Sequence, residues 1–339
     1  MRRGALSLAV LGLGVSTAFH GASAAENATG FYLLGSKTAM AGFVPPPGTY
    51  LIDMNYLYSG DASGAAARGI ALRDTGVLLD AQANVSVDAN AYLNLPIGLW
   101  IAPEKVLGGN IGFGIMFPVG HKSVDVDIDA FAQVTLPNGT VVDANRRFEF
   151  DDSSTRFGDP VLNALIGWHD GNWHWTVGAL VNVPIGPYDA DSISNIAFNR
   201  WGLDTTAAVT WLDPKLGHEV SVATGFTFNG ENPDTDYKTG TEFHVEWALI
   251  QHFSKTFTAG LAGYHYQQVT GDSGSGARLG PFEGRVTALG PVVTYSFTVG
   301  KIPVSTQVQW LHEFNAKNRT EGDVGMINIT MPLSVPRGQ

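Results

Sequence analysis

Residues 49–59 alternate in character. Tyr50, Ile52, Met54, Tyr56 and Tyr58 fall on one side of an extended chain, and Thr49, Asp53, Asn55 and Ser59 fall on the other, with Leu51 and Leu57 as exceptions. A repeat of two marks a β-strand whose two faces meet different surroundings. The pattern returns along the chain. Ala89, Ala91, Leu93, Leu95, Ile97, Leu99 and Ile101 oppose Asp88, Asn90, Asn94 and Gly98, and Ile111, Phe113, Ile115 and Phe117 follow. Further segments cover residues 162–168, 173–183, 203–211, 220–228, 243–253, the stretch from Phe257, and 285–299, 302–314 and 324–333. About twelve segments of roughly 10 residues result, with no long helix among them. Strands that face oil on one side and water on the other, repeated through one chain, predict a transmembrane antiparallel up-and-down β-barrel.

The connections support closure. Residues 102–109, 170–172, 213–217, 254–255 and 300–301 are short, whereas 60–87, 119–159, 184–201, 229–240, 268–284 and 315–321 are long and rich in Gly, Asp, Asn, Ser and Pro. Short turns at one end and long loops at the other are a membrane-barrel habit, and they put both termini at the short-turn, periplasmic end. The stretch 119–159 holds a further alternating hairpin around Pro137-Asn138-Gly139. It adds two wall strands, stands above the membrane, or folds inward. Arg146, Phe148 and Phe150 share a face, and an arginine facing lipid at the midplane costs about 2–4 kcal/mol. Twelve wall strands are therefore expected, with fourteen as the alternative.

Composition narrows the setting. Met1-Arg2-Arg3, an apolar run from Leu6 to Phe19 and Gly21-Ala22-Ser23-Ala24-Ala25 form a secretory signal with cleavage after Ala24 or Ala25. The expected divisions are a signal peptide over 1–25, an N-terminal segment over 26–47, a barrel over 48–334 and a tail over 335–339. There is no cysteine, which excludes lipoprotein anchoring and thiol chemistry. Charged residues make up 15%, against about 25% in a typical soluble domain. Removing Arg2 and Arg3 with the signal takes the net charge from −11 to −13, and such a surface does not suit nucleic acid. The location implied is the outer membrane of a Gram-negative bacterium, with outer-membrane lipid, lipopolysaccharide and the barrel-assembly machinery as partners. The oligomeric state stays open.

If the apolar face of every strand meets lipid, the opposite face lines the interior. That parity assigns Asp53, Asn55, Asn94, Asn163, His174, Asn182, Glu219, Glu242, His244, Glu246, Gln307, Gln309 and Glu313 to the lumen, with Tyr92 and Trp100 on the same face as a stacking ladder. Glu242, His244, Glu246 and His252 share one face of one strand. They read either as a catalytic or metal cluster or as a hydrogen-bonded polar interior, and the second is favoured because no nucleophile elbow or zinc helix motif accompanies them. Asn229, Asn232, Asp234, Asp236 and Asp272 do not follow the spacing of a calcium loop. No catalytic, cofactor or metal residue is assigned. The segment 26–47 carries Phe31, Tyr32, Leu33, Leu34, Met40, Phe43 and Val44 before Pro45-Pro46-Pro47-Gly48. So many apolar residues do not suit a solvated tail, and the segment is expected to enter and partly plug the lumen.

Short pieces along the mature chain carry a likeness. They are Pro46-Pro47-Gly48 with Tyr58-Ser59-Gly60-Asp61, Leu107-Gly108-Gly109-Asn110-Ile111-Gly112-Phe113, Gly158-Asp159-Pro160 and Pro184-Ile185-Gly186-Pro187-Tyr188. Asn229, Asn232-Pro233, Thr235, Tyr237 and Gly240 follow, then Gln268-Val269-Thr270-Gly271-Asp272-Ser273-Gly274 and Leu289-Gly290-Pro291. In order and spacing the chain resembles the outer-membrane transporter family associated with phenol meta-pathway degradation. The resemblance implies a barrel that imports small hydrophobic or aromatic compounds. One departure is the C-terminus, Leu333-Ser334-Val335-Pro336-Arg337-Gly338-Gln339, which lacks the terminal aromatic residue common in such barrels. Phe31, Tyr32 and Tyr188 are the candidates for solute capture. The alternatives are an outer-membrane lipid or ester hydrolase, which would need His244 beside a serine hydroxyl, and a structural barrel with a blocked lumen.

Overall fold

The computed structural model describes Glu26, residues 30–63, Ala67, and residues 83–135, 141–278 and 280–334. The expected signal segment 1–25 and tail 335–339 lie outside the described residues. The strands are β1 (Gly48–Ser63), β2 (Ala83–Val106), β3 (Gly109–Met116), β4 (Val119–Thr135), β5 (Val141–Phe157), β6 (Val161–Asp170), β7 (Trp173–Asn182) and β8 (Gly202–Asp213). They continue as β9 (His218–Asn229), β10 (Glu231–Asn232), β11 (Tyr237–Lys238), β12 (Glu242–His252), β13 (Phe257–Gln268), β14 (Arg285–Val299), β15 (Ile302–Lys317) and β16 (Glu321–Ser334). Antiparallel pairing runs β1-β16-β15-β14-β13-β12-β9-β8-β7-β6-β3-β2 and returns from β2 to β1, which closes a 12-strand ring. Closure leaves the ring without a free edge, the condition for crossing hydrocarbon with strands.

The hairpin β4–β5 supplies two extra strands without entering the ring. Strand β2 spans 24 residues. Its residues 97–106 pair with β3 and its residues 83–94 pair with β4, so β4 takes over the edge where β3 stops. Val124, Val126 and Ile128 pack with Ala62, Val85, Val87 and Ile193 in a small core beyond the short strands. The β2–β3 connection is tighter than the expected 102–109. Strand β2 passes a register shift between Ile101 and Lys105, and Leu107 (φ 51°) and Gly108 (φ 78°) make the turn.

Ring positions divide cleanly into two faces. The outside carries Trp100 stacked on Phe113 (6.4 Å) and Trp168 on Trp175 (6.2 Å) near the short-turn end, with Phe226 against Phe243 (5.3 Å) towards the long loops. These are the aromatic bands expected at two membrane interfaces. The inside carries buried polar groups on β8, β9 and β12, including Asp204, Thr210, Glu219, Ser221, Glu242, His244 and Glu246.

On β1 and β2 the faces are the reverse of the expected ones. Met54 registers with Leu95 on one side and Asn328 on the other, and with Ile97 it packs around Leu33, so the apolar set faces inward. Asp53, Asn55, Tyr92, Asn94 and Trp100 consequently point out of the barrel, and Tyr92 and Trp100 form no lumenal ladder. The reason is that this part of the lumen is filled by apolar side chains, so both faces of these strands meet an apolar neighbour. The outward polar groups satisfy each other. Asn94 Nδ2 donates to Asp53 Oδ1 (2.7 Å) and Asn55 Oδ1 (3.1 Å), and the Tyr92 hydroxyl donates to Asn55 Oδ1 (2.9 Å). Pairing of this kind lowers the cost of leaving polar atoms away from water.

Candidate functional site

The lumen holds the N-terminal segment along its length. At the short-turn end Val44 packs with Tyr50, Leu99 and Ile101, and the Phe43 ring lies against His169 and His174. Higher up, the Gly42 amide donates to Thr210 Oγ1 (3.0 Å), the Met40 amide to Glu219 Oε1 (2.6 Å) and the Lys37 amide to Glu246 Oε2 (2.7 Å). Gln309 Nε2 donates to the Gly35 carbonyl (2.6 Å), and Gln309 Oε1 accepts from the Thr38 hydroxyl (2.9 Å). The Tyr32 ring stacks on His244 at 3.7 Å. Irregular backbone inside a barrel has no ladder to satisfy its amides. Inward carboxylates, a threonine and a glutamine take that part here.

Glu26 anchors the far end among the long loops. Its carboxylate accepts from Arg200 Nη1 (2.8 Å), Asn232 Nδ2 (3.0 and 3.1 Å) and the Thr235 hydroxyl (2.7 Å). Asp159 organises the neighbouring loop. It accepts from Asn182 Nδ2 and from the amides of Gly186, Phe198 and Asn199.

Each candidate residue can now be placed. Glu219, Gln309 and Glu246 contact the N-terminal segment directly, and Gln307 Nε2 donates to Thr38 Oγ1 (3.3 Å). Glu242 accepts from the Tyr266 hydroxyl and Asn229 instead, and Glu313 from the hydroxyls of Tyr58 and Tyr264. Asn182 belongs to the Asp159 hub, and His174 pairs with His169 near the short-turn end. Of the capture candidates, Tyr32 is buried on His244, Phe31 lies against Gly202, and the Tyr188 hydroxyl accepts from Asn232. His244 Nε2 pairs with Asp204 Oδ2 (2.9 Å), and among the described residues no serine hydroxyl hydrogen-bonds to it. The loop residues read as turn-builders bond within the loops: Asn229 to the Gly240 carbonyl, and Asp272 to Tyr237, Gly240 and Gln268.

Sequence reading missed Arg200, Asp204 and Asp159. Parity alone would have found Asp204, which shares the inward face of β8 with Thr206 and Thr210. Nothing local marks Arg200, and Asp159 stands out only within the piece Gly158-Asp159-Pro160; the partners of both are set by loop folding.

The closed wall, the aromatic bands and the polar, occupied interior define a transmembrane β-barrel of the outer-membrane type. Within that class the chain belongs to the family described as "Putative MetA-pathway of phenol degradation", whose model matches residues 74–329. The fold is similar to that of the COG4313 outer membrane channel from Pseudomonas putida F1, at 12% identity and a TM-score of 0.63, over 88% of this chain and 98% of that one. A FadL homologue from Pseudomonas aeruginosa aligns over 91% of this chain and 97% of its own at 9% identity, with a TM-score of 0.38. No curated protein matches the sequence.

Proposed function

We propose that the protein is an outer-membrane channel for uptake of small hydrophobic or aromatic compounds. A lipopolysaccharide leaflet resists apolar solutes, so a protein path with an apolar lining removes a barrier that lipid alone imposes. The observation that carries this reading is the inward apolar face of β1 and β2, where Met54, Leu95 and Ile97 turn away from lipid and into the lumen. The family's tie to phenol degradation supports the substrate class. On this reading the signal segment is cleaved after Ala24 or Ala25, the assembly machinery inserts the barrel, and residues 26–47 act as its plug.

The test is the initial uptake rate of a panel of aromatic and aliphatic carbon sources at limiting concentration, in cells with and without the gene. Faster uptake of apolar members is expected. Equal rates across the whole panel would sink the import reading.

A further inference from the structure

The N-terminal segment is not centred in the lumen. Its hydrogen bonds go to Thr210, Glu219, Glu246 and Gln309, on β8, β9, β12 and β15. Against that side the wall is closed: Asp204, Glu219, Glu242, His244 and Glu246 are all 2% exposed or less. The opposite side, on β1, β2, β3, β6 and β7, meets the segment through apolar contacts from Leu33 and Val44. There Tyr50, Met54, Leu95, Ile97, Leu99 and Ile101 are buried against the segment, but the inward side chains of Ile52, Tyr56, Leu93, Met116, Leu165 and Leu180 stay only partly covered. A side chain that points into a closed ring and is still accessible borders residual space. One side of the lumen is therefore sealed and polar, and the other is apolar and packed against the segment except around Ile52, Tyr56, Leu93, Met116, Leu165 and Leu180, where filling is incomplete.

Two amides sit in that apolar half among the described residues: Asn182, which is buried and tied to Asp159, and Asn163. Asn163 registers with Gly114 and Leu180, so it points inward between Leu165 and the end of β3. Its side chain is partly covered and makes no hydrogen bond among the described residues. Gly114 beside it has no side chain, and a Cβ built there would meet Asn163 Cβ at 3.6 Å. An accessible amide in an apolar wall favours a solute that brings one hydrogen-bonding group with it.

Resting on the import reading above, we propose that solute passes through the apolar half while the N-terminal segment stays seated, and that Asn163 selects a flat apolar molecule carrying one hydroxyl. The enclosed position admits a small molecule and excludes a protein or a second copy of this chain.

The absence of cysteine makes a clean test available. Thr38→Cys with Gln309→Cys, joined by a short bis-alkylating bimane after folding, fixes the segment to the polar wall. Uptake of phenol by cells carrying the joined protein is expected to match that of the unjoined pair. Loss of uptake on joining would show that the segment has to leave, and would overturn the proposal. In a second arm, Asn163→Leu is expected to lower the phenol-to-toluene uptake ratio about five- to tenfold, as one hydrogen bond is lost, with heat-modifiable gel mobility confirming the fold. An unchanged ratio would remove Asn163 from the path. A parent protein that speeds neither solute above gene-free cells would overturn the import reading itself, a result distinct from both.

Discussion

Arg200→Ala tests what holds the segment at the long-loop end. The side chains of Arg200 and Glu26 are 2% and 3% exposed, and their nitrogen and oxygen lie 2.8 Å apart. Removing the guanidinium takes away the Arg200 countercharge and leaves the Glu26 carboxylate with Asn232, Thr235 and Tyr188 among its donors. Breaking a buried ion pair from one side costs about 3–5 kcal/mol. With neutral donors still in place the lower figure applies, and about 3 kcal/mol is roughly a hundredfold shift between seated and unseated states. Phe31→Cys gives a unique thiol close to the clasp, since the parent has none. Its rate of modification by a bulky maleimide reports unseating. About a hundredfold faster labelling is expected in the Arg200→Ala background. Adding Glu26→Ala is expected to recover much of the loss, because both members of the buried ion pair are then removed together. Equal labelling of parent and Arg200→Ala would refute the reasoning.

Other perturbations have definite outcomes. At Gly42 a Cβ would run into the His174 carbonyl oxygen and the Thr210 amide nitrogen, so Gly42→Val is expected to lift the lower segment and raise single-channel conductance with barrel stability unchanged; identical conductance counts against it. Asn94→Ala strips the outward Asp53 carboxylate of its 2.7 Å donor and is expected to cost about 1–3 kcal/mol in urea unfolding from lipid bilayers, and an effect below that range contradicts it. Burial raises the Asp152 carboxyl, but hydrogen bonds from the Ser192 hydroxyl and the amides of Ile193 and Ser194 outweigh it and hold the group below its ordinary value. A depressed carboxyl stabilises above its unfolded value and loses that contribution as pH falls through the folded one. Loop 184–201 should therefore resist pepsin down to about pH 4 and become susceptible below it; a flat profile across that window would be inconsistent.

Much of the wall was legible because strand periodicity is short-range. Residues 173–183 and 243–253 alternate so plainly that their bounds follow within one or two positions of Trp173–Asn182 and Glu242–His252. The orientation of β1 and β2 was not legible. Alternation says that two faces differ, not which of them faces lipid, and Leu33 and Val44 supply an apolar neighbour on the inside that periodicity cannot reveal. The segment's partners escaped for another reason. Its amides meet Glu246 and Glu219 across separations of 209 and 179 residues, and a backbone donor leaves no mark on the sequence. The Glu26 clasp was hidden in the same way, joining a residue beside the expected cleavage point to loops that only the closed ring brings near.

The carboxylates around the segment have a meaning of their own. Asp204, Glu219, Glu242 and Glu246 all face the interior and are covered while residues 30–44 remain in place. Deleting residues 26–44 would bare this anionic wall to water and turn the bore into a wider conduit. Reversal potentials across a salt gradient should then show preference for potassium over chloride, since a ring of negative charge concentrates counter-ions. The inserted segment thus governs which solutes the interior welcomes, beyond how much room it leaves them.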